Sequence, residues 1–235
     1  DGSAYSTIAN VAAVNAGTTI RAANYLRFTP TADYSGASPT ITVVLIEDSG
    51  GAVAAAAATN VDCSYSASGI YSTATVALTM TINAVNDEPT LTATTATPTF
   101  TEDGSAVSVF SNAAAGYGDT DGSESADRIN SLTITITNVA DTTEYLNVDG
   151  TACDLTNSNS ESTSGNSMTC AVTVSSGTAT VTLTHSGLTS AAIQTIIDAM
   201  TYENSDQSPT TGSRVVTITA IGDDGGTANG GDNSK

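Results

Sequence analysis

Apolar and polar residues alternate along most of this 235-residue chain, and turn-forming residues separate the alternating runs. This pattern is typical of strands that bury one face. The clearest runs are Val76, Leu78, Met80 and Ile82, then Leu132, Ile134 and Ile136, then Val181 and Leu183, and finally Val216 and Ile218. Clusters of Gly, Ser, Thr, Asn and Asp between runs favour antiparallel sheets. The pattern therefore predicts an all-β fold of the sandwich class.

One segment follows a helical pattern instead. Thr189 or Ser190 could cap the N-terminus of a helix at its start. Apolar residues at helical spacing make up its stripe: Leu188, Ala192, Ile193, Ile196, Ile197 and Met200. We expect one short helix here, packed over an end of the second sandwich, with its apolar stripe in the core.

An internal repeat indicates two domains. Residues 41–51 align with residues 216–226, so that Asp48 matches Asp223, and each Asp ends a strand before a Gly-Gly pair. The predicted division is an incomplete sandwich over residues 1–85, a linker over residues 86–90 and a second sandwich over residues 91–235. On this alignment the first domain lacks its opening strands and the second lacks its closing strand. A longer tandem array or a neighbouring copy could supply them.

The charge of the chain narrows the range of partners. Asp and Glu total 24 against 5 Lys and Arg, which gives a net charge of -19. Such a surface does not favour binding to nucleic acid or to anionic membranes, whereas it suits divalent cations. No apolar run is long enough to span a bilayer. The single histidine, His185, has no nucleophile motif near it, and Trp is absent, so we expect no enzymatic activity.

Side chains with oxygen atoms gather around the predicted linker. Asn86, Asp87 and Glu88 lie within it, and Asp119 and Asp121 form an Asp-x-Asp turn in the next domain. Calcium binds six to eight such oxygens, so this grouping predicts a calcium site. The alternative is a set of solvated acidic turns. Asp127 and Asp206 lie near these motifs, and we interpret them as surface residues.

The three cysteines carry a further prediction. Cys153 and Cys170 bracket a polar loop rich in Ser and Asn, and a disulfide could staple that hairpin if the protein is extracellular. The alternative is a pair of reduced thiols. Cys63 has no obvious mate. The spacing of the three does not fit a zinc site.

Six motifs occur in order along the chain: Ala84–Pro89, Phe100–Gly104, Asp119–Gly122, Leu132–Ile136, Met200–Glu203 and Asp223–Gly226. In this order and spacing they resemble the cadherin-like tandem repeats of large bacterial surface adhesins, which often occur with RTX-type secretion. The resemblance covers nearly all of residues 84–226 and, more weakly, residues 20–83. It implies two consecutive Ig-like or cadherin-like β-sandwich domains with calcium between them.

The resemblance also implies two sets of calcium ligands. At the junction, the first domain would supply Asp48, with Asp33 and Glu47. The linker would add Asn86, Asp87 and Glu88, and the second domain Asp119 and Asp121. A second cluster at the far end of the second domain would use Glu102, Glu203 and Asp223, with Asp103 and Asp224.

The implied function is structural. The chain would be a repeat unit of an extracellular stalk or fibre at the bacterial cell surface, stiffened by calcium, with neighbouring copies or repeats joined head to tail and strands exchanged between them. The alternative is a calcium-dependent module that binds cell-surface glycans or a receptor, with residues 157–166 as a recognition loop. A compact monomer with a cleft would favour this alternative.

Overall fold

A computed structural model describes residues 27–32, 34–46, 71–118 and 127–235 of the chain. The chain divides into two compact units, Asp1–Asn83 (unit 1) and Ala84–Lys235 (unit 2). The described residues form antiparallel strands and one α-helix, so the predicted all-β class is confirmed.

The described part of unit 1 consists of two antiparallel strand pairs. Its strands are β1 (Gly36–Ala37), β2 (Ile41–Ile46), β3 (Tyr71–Leu78) and β4 (Thr81–Ile82). β1 pairs with β4, and β2 pairs with β3. In the second pair Ile41 lies opposite Leu78, Val43 opposite Val76, and Ile46 opposite Tyr71.

Unit 2 contains most of the sheet structure. Its strands are β5 (Thr90–Thr95), β6 (Val107–Ser108), β7 (Phe110–Gly116), β8 (Ile129–Ile136), β9 (Glu144–Val148), β10 (Thr151–Asp154), β11 (Asn159–Ser162), β12 (Thr169–Ser175), β13 (Thr178–Leu188), β14 (Thr201–Asn204) and β15 (Val216–Asp223). A five-stranded sheet has the order β11-β12-β13-β8-β15, and a four-stranded sheet has the order β10-β9-β14-β6. β5 and β7 form a separate antiparallel pair.

The two larger sheets share one core, which makes unit 2 a β-sandwich. Along β8, Leu132, Ile134 and Ile136 are fully buried, while the Thr residues between them are partly exposed. Leu146 of the four-stranded sheet belongs to the same buried cluster. The strict alternation in the sequence therefore corresponds to one face against the core and one toward solvent.

A disulfide joins the two sheets of the sandwich. It links Cys153 of β10, in the four-stranded sheet, with Cys170 of β12, in the five-stranded sheet. The expected staple across one hairpin is therefore a link between sheets, because part of the intervening Ser/Asn-rich segment forms β11 and pairs with β12. Both cysteine side chains are buried in the core.

The predicted helix is present as α1 (Ser190–Asp198). Thr189 caps it, with its hydroxyl accepting a hydrogen bond from the Ala192 N–H at 3.2 Å. Ile193, Ile196 and Ile197 are buried, as the apolar stripe predicts. Among the described residues, no helix has the length and apolar character needed to cross a membrane.

After β15 the chain turns back along the same strand. A short 3₁₀ turn at Ala228–Gly230 leads into residues 232–235, here called the tail. The backbones of Ile221 and Lys235 exchange two hydrogen bonds, of 2.9 and 3.0 Å, and the Asp223 N–H donates to the Asn233 carbonyl at 3.0 Å. The tail therefore begins an antiparallel pairing on the outer edge of β15.

Candidate metal centre

Asn86 lies in the segment before β5, and its side chain is held by the far end of unit 2. Its Nδ2 donates to Asp223 Oδ1 at 3.0 Å and to the Asp232 carbonyl at 2.7 Å. Both partners can only accept, so they fix the orientation of the amide and direct Oδ1 away from them. The Asp232 N–H also donates to the Asn86 carbonyl at 3.0 Å, which fastens the tail to this residue.

Asp223, the last residue of β15, is fully buried. Its Oδ1 accepts hydrogen bonds from Asn86 and from the Gly225 N–H. In the described part of the chain, no donor reaches Asp223 Oδ2, and the same holds for Asn86 Oδ1. A buried acceptor without a donor costs about 1–3 kcal/mol, so these two oxygen atoms are suited to accept from a bound donor or to bind a cation.

Asp127 brings a further oxygen close to Asn86 Oδ1. A Cβ atom added to Gly225 would collide with Asn86 Oδ1 and would lie 2.6 Å from Asp127 Oδ2. Both oxygens thus converge over Gly225, and only glycine leaves room for them. Asp127 is partly exposed as a residue, in line with its interpretation as a surface residue, but its Oδ2 atom is buried. We call Asn86, Asp127 and Asp223 the oxygen cluster.

Strand pairing explains how Asp127 comes close to Asp223. In the antiparallel pairing of β15 with β8, Asp223 lies opposite Ile129, two residues after Asp127. Asp224 strengthens this junction, because its N–H donates to the Arg128 carbonyl at 3.0 Å and its Oδ1 accepts from the Arg128 N–H at 2.6 Å. Asp224 therefore positions the segment that carries Asp127.

The surroundings of Asp223 disfavour its negative charge when no cation is bound. Burial raises the pKa of Asp223 above its ordinary value, and the negative charges of Asp224 and Asp232 act in the same direction. The hydrogen bonds from Gly225 and Asn86 oppose this rise without cancelling it. A bound cation would favour the ionised carboxylate, and its binding would release any proton held there.

The chemistry of the donors indicates the class of metal. Carboxylate and amide oxygens suit hard cations such as calcium, whereas zinc and copper prefer nitrogen and sulfur. The cluster holds two carboxylates and an amide, and within the described ranges no group of three or more His, Cys, Asp or Glu side chains comes together. Since calcium takes six to eight oxygens, backbone carbonyls, water or other side chains would have to complete its shell.

The predicted ligands in the linker differ in their exposure to solvent and in their partners. Asp87 is partly buried beside Asn86. Glu88 is exposed, and its Oε1 lies 2.6 Å from Lys235 Nζ, so a cation already engages this carboxylate. Five other predicted ligands lie outside the described residues, namely Asp33, Glu47, Asp48, Asp119 and Asp121.

The second predicted cluster needs a correction. Asp223 was expected beside Glu102 and Glu203, yet its hydrogen bond to Asn86 places it with the linker residues. Glu203 lies on β14, opposite Tyr145 of β9. The other predicted members also have different surroundings: Glu102 is exposed in the turn before β6, Asp103 accepts a bond from Gln207 at 3.2 Å, and Asp224 holds Arg128.

The comparisons with known proteins gave no relative for this chain. No protein-family model, curated protein or solved structure matches it. The oxygen cluster therefore has to be interpreted from its own geometry and chemistry.

Proposed function

We propose that the chain is a calcium-stabilised structural repeat of an extracellular stalk or fibre. One observation carries the proposal: Asn86 Oδ1, a buried acceptor with no donor among the described residues, converges with a buried Asp127 oxygen over Gly225. The same Asn86 amide bonds to Asp223, whose Oδ2 is a second buried acceptor with no described donor. A cation there would link Asn86, near the N-terminus of unit 2, to Asp223 at the end of β15. Calcium would thus have a structural role rather than a catalytic one.

The position of the cluster in the chain suits a repeat. Asn86 follows directly after the boundary between the units, whereas Asp223 lies 137 residues later, at the end of β15. A unit that holds its own N-terminal residues in this way can fold as one repeat, because those residues need no contact with a distant part of the protein. The cadherin-like resemblance supports the same role, because calcium at the ends of successive domains stiffens such strings.

Calcium titration tests the proposal directly. We expect calcium to bind the full chain and to raise its unfolding temperature, because the ion stabilises only the folded arrangement of oxygens. Isothermal titration calorimetry and thermal unfolding in calcium, in magnesium and in chelator would measure this. Magnesium demands a smaller, near-octahedral shell, so we expect it to have less effect.

Two matched substitutions locate the site. Asp223→Asn removes one charge while leaving an oxygen for the Gly225 N–H, and we expect calcium affinity to fall by about tenfold or more, equivalent to about 1.4 kcal/mol. Glu203→Gln makes the same change on β14 and should leave the affinity unaltered. If Glu203→Gln weakens binding and Asp223→Asn does not, the oxygen cluster is not the calcium site.

Glycan binding is a second candidate, supported by one surface hollow in unit 2. The hollow has a volume of about 530 Å³ and lies between α1 and the turns around Asp149 and Asn166. Its lining is mainly apolar, but Asn147, Asp149, Asn166 and Thr195 offer polar groups that could hydrogen-bond sugar hydroxyls, and no aromatic residue is among its lining residues. A glycan array probed with the full chain in calcium, with an Asn166→Ala variant as control, would test this candidate.

A further inference from the structure

The tail covers Asn86 of the oxygen cluster and holds it by two hydrogen bonds. The Asp232 carbonyl accepts from Asn86 Nδ2 at 2.7 Å, and the Asp232 N–H donates to the Asn86 carbonyl at 3.0 Å. Gly231, directly before the tail, lies so close that an added Cβ would be 3.1 Å from Asn86 N and 3.2 Å from Asn86 Cβ. These contacts contribute to the burial of Asn86, which is only 8% exposed.

The tail also determines which way the Asn86 amide points. An amide group carries an oxygen on one side and an NH₂ group on the other, and a rotation exchanges them. The Asp232 carbonyl and Asp223 Oδ1 both accept, so the NH₂ group faces them. The amide oxygen then faces Asp127 over Gly225. Since a hard cation binds only the oxygen side of an amide, the docked tail holds Asn86 in the orientation of a ligand.

The same tail is fastened to the residue at the other side of the cluster. The Asp223 N–H donates to the Asn233 carbonyl at 3.0 Å, while Asp223 Oδ1 accepts from Asn86. Two further backbone hydrogen bonds, of 2.9 and 3.0 Å, join Ile221 with Lys235. Asp223 therefore contacts the tail through its backbone and the oxygen cluster through its side chain, so the docking of the tail and the geometry of the cluster are linked.

We propose that the tail and a cation in the oxygen cluster bind cooperatively, with Gly231 and Asp232 as positioning residues for Asn86. This inference rests on the proposed function and adds a control of its site. A docked tail directs the Asn86 oxygen to the cation, and a bound cation holds Asn86 where the tail can dock. By thermodynamic linkage the two effects are equal in size.

The cooperation has a physical cause in the buried oxygens. Asn86 Oδ1 and Asp223 Oδ2 are buried acceptors for which the described residues supply no donor. Release of the tail would open Asn86 to water, which would satisfy its oxygen without a cation. With the tail docked, a cation removes the cost of burying these oxygens. The cation therefore binds the docked arrangement more strongly than the released one, and such a difference in affinity shifts a conformational equilibrium.

Hydrogen exchange of the parent chain measures the docking of the tail. The Asp232 amide is bonded to Asn86 only while the tail is docked, so its exchange rate reports how often the tail is released. We expect calcium to slow this exchange by about fivefold or more relative to chelator. The control is the Val139 amide, bonded to the Gly177 carbonyl at the opposite end of β8, which should respond less. Equal exchange of Asp232 in both conditions, with calcium bound, would overturn the inference.

A substitution at Gly231 tests the positioning role. Gly231→Val puts a branched side chain against Asn86, while the backbone of this residue, at φ -61° and ψ 155°, accepts any L residue. We expect calcium affinity in titration calorimetry to fall by about fivefold or more, and the Asp232 amide to exchange faster in calcium. Ala228→Val adds bulk at an exposed position of the same turn and should bind calcium like the parent. Parental affinity in Gly231→Val would show that the tail does not position Asn86.

The inference and the proposed function fail in different ways. If calcium raises the unfolding temperature and Asp223→Asn weakens its binding, but exchange of the Asp232 amide does not respond, the cation site stands and the cooperation is wrong. If calcium does not bind the parent chain at all, both are wrong. The exchange measurement needs no variant, so it decides the question even where Gly231→Val fails to fold.

Discussion

Glu144 shows how unit 2 holds a charge inside its core. Its carboxylate is fully buried and receives two hydrogen bonds from the Arg214 guanidinium, at 2.8 and 3.0 Å. The Tyr202 hydroxyl donates to it at 2.7 Å, and the N–H groups of Ala140 and Asp141 complete the shell. A buried charge is tolerated only when its hydrogen-bonding capacity is satisfied in this way.

This arrangement predicts a specific loss of stability in acid. Burial alone would raise the pKa of Glu144, but the hydrogen bonds from Arg214, Asp141, Ala140 and Tyr202 outweigh it, and the pKa lies below the ordinary 4.5. The stability contributed by this ionised group is therefore present above pH 4.5 and is lost as the pH falls through the lower, folded value. Urea unfolding on both sides of pH 4.5 would measure the loss.

The matching variant is Glu144→Gln. We expect it to lower the free energy of unfolding near neutral pH by about 3–5 kcal/mol, because the buried Arg214 then loses its closest carboxylate and keeps only Asp141, at 3.8 Å. Its stability should also fall less steeply in acid than that of the parent chain. Glu203→Gln, with a partly exposed side chain, is the control. If the free energies of unfolding of Glu144→Gln and of the parent fall in parallel with pH, Glu144 does not contribute the predicted pH-dependent stability.

Sequence reasoning at this scale named two residues of the oxygen cluster as ligands and set the third aside. Asn86 was named because it offers an oxygen in the linker, and Asp223 was named because the resemblance implies it, although in a different cluster. Their direct contact spans 137 residues, and Asn86 is held there by two hydrogen bonds with Asp232 of the tail. Asp127 was set aside as a surface residue, because its approach to Asp223 depends on the pairing of β15 with β8. Asp127 lies two residues before β8, and this position at the start of a predicted strand could have indicated a buried carboxylate.

The sequence predicts the strands and the helix far better than the contacts between residues that are distant in the chain. Period-two alternation identifies β8, β13 and β15 because each buries one face, and the helical spacing identifies α1 because one stripe faces the core. Strand β11 was taken for part of a loop, since its Asn-Ser-Glu-Ser sequence has no apolar alternation. Its pairing with β12 shows that neighbouring strands can override local composition.

The link between sheets predicts a redox dependence of stability. The Cys153–Cys170 disulfide closes a sequence separation of 17 residues, and a loop of that size contributes about 3 kcal/mol in the chain-entropy account. We expect reduction to lower the free energy of unfolding by about that amount. Urea unfolding with and without reductant would measure it.

A double variant controls for effects of the reductant itself. Cys153→Ala with Cys170→Ala should unfold like the reduced parent and should not respond to reductant. Cys63→Ser should respond as the parent does. If the double variant unfolds at the same urea concentration as the oxidised parent, the disulfide contributes little to stability.

For the whole molecule, the net charge of -19 makes calcium relevant to shape as well as to stability. Acidic groups near the start of unit 2 repel one another unless a cation neutralises them. The proposed spacer role therefore predicts that calcium narrows the range of conformations of the full chain. Small-angle scattering in calcium and in chelator would detect this as a change in the distance distribution.

The same measurement on Asp223→Asn separates site binding from general screening. We expect this variant to need a higher calcium concentration for any change in its scattering profile. Sodium chloride at matched ionic strength is the second control, since screening acts on all exposed charges alike. A change produced equally by sodium chloride would count against a specific calcium role in the shape of the chain.

The burial of the Arg214 side chain also affects cleavage of the chain by proteases. Trypsin-like proteases cut after Lys or Arg, and between Ala84 and Ser234 the sequence offers them only Arg128 and Arg214. The Arg214 side chain is 9% exposed and is held by Glu144 and Asp141, so a specificity pocket cannot capture it while the network is intact. The ion pair that secures the core thus also conceals one of the two cleavage points between Ala84 and Ser234 from trypsin-like proteases.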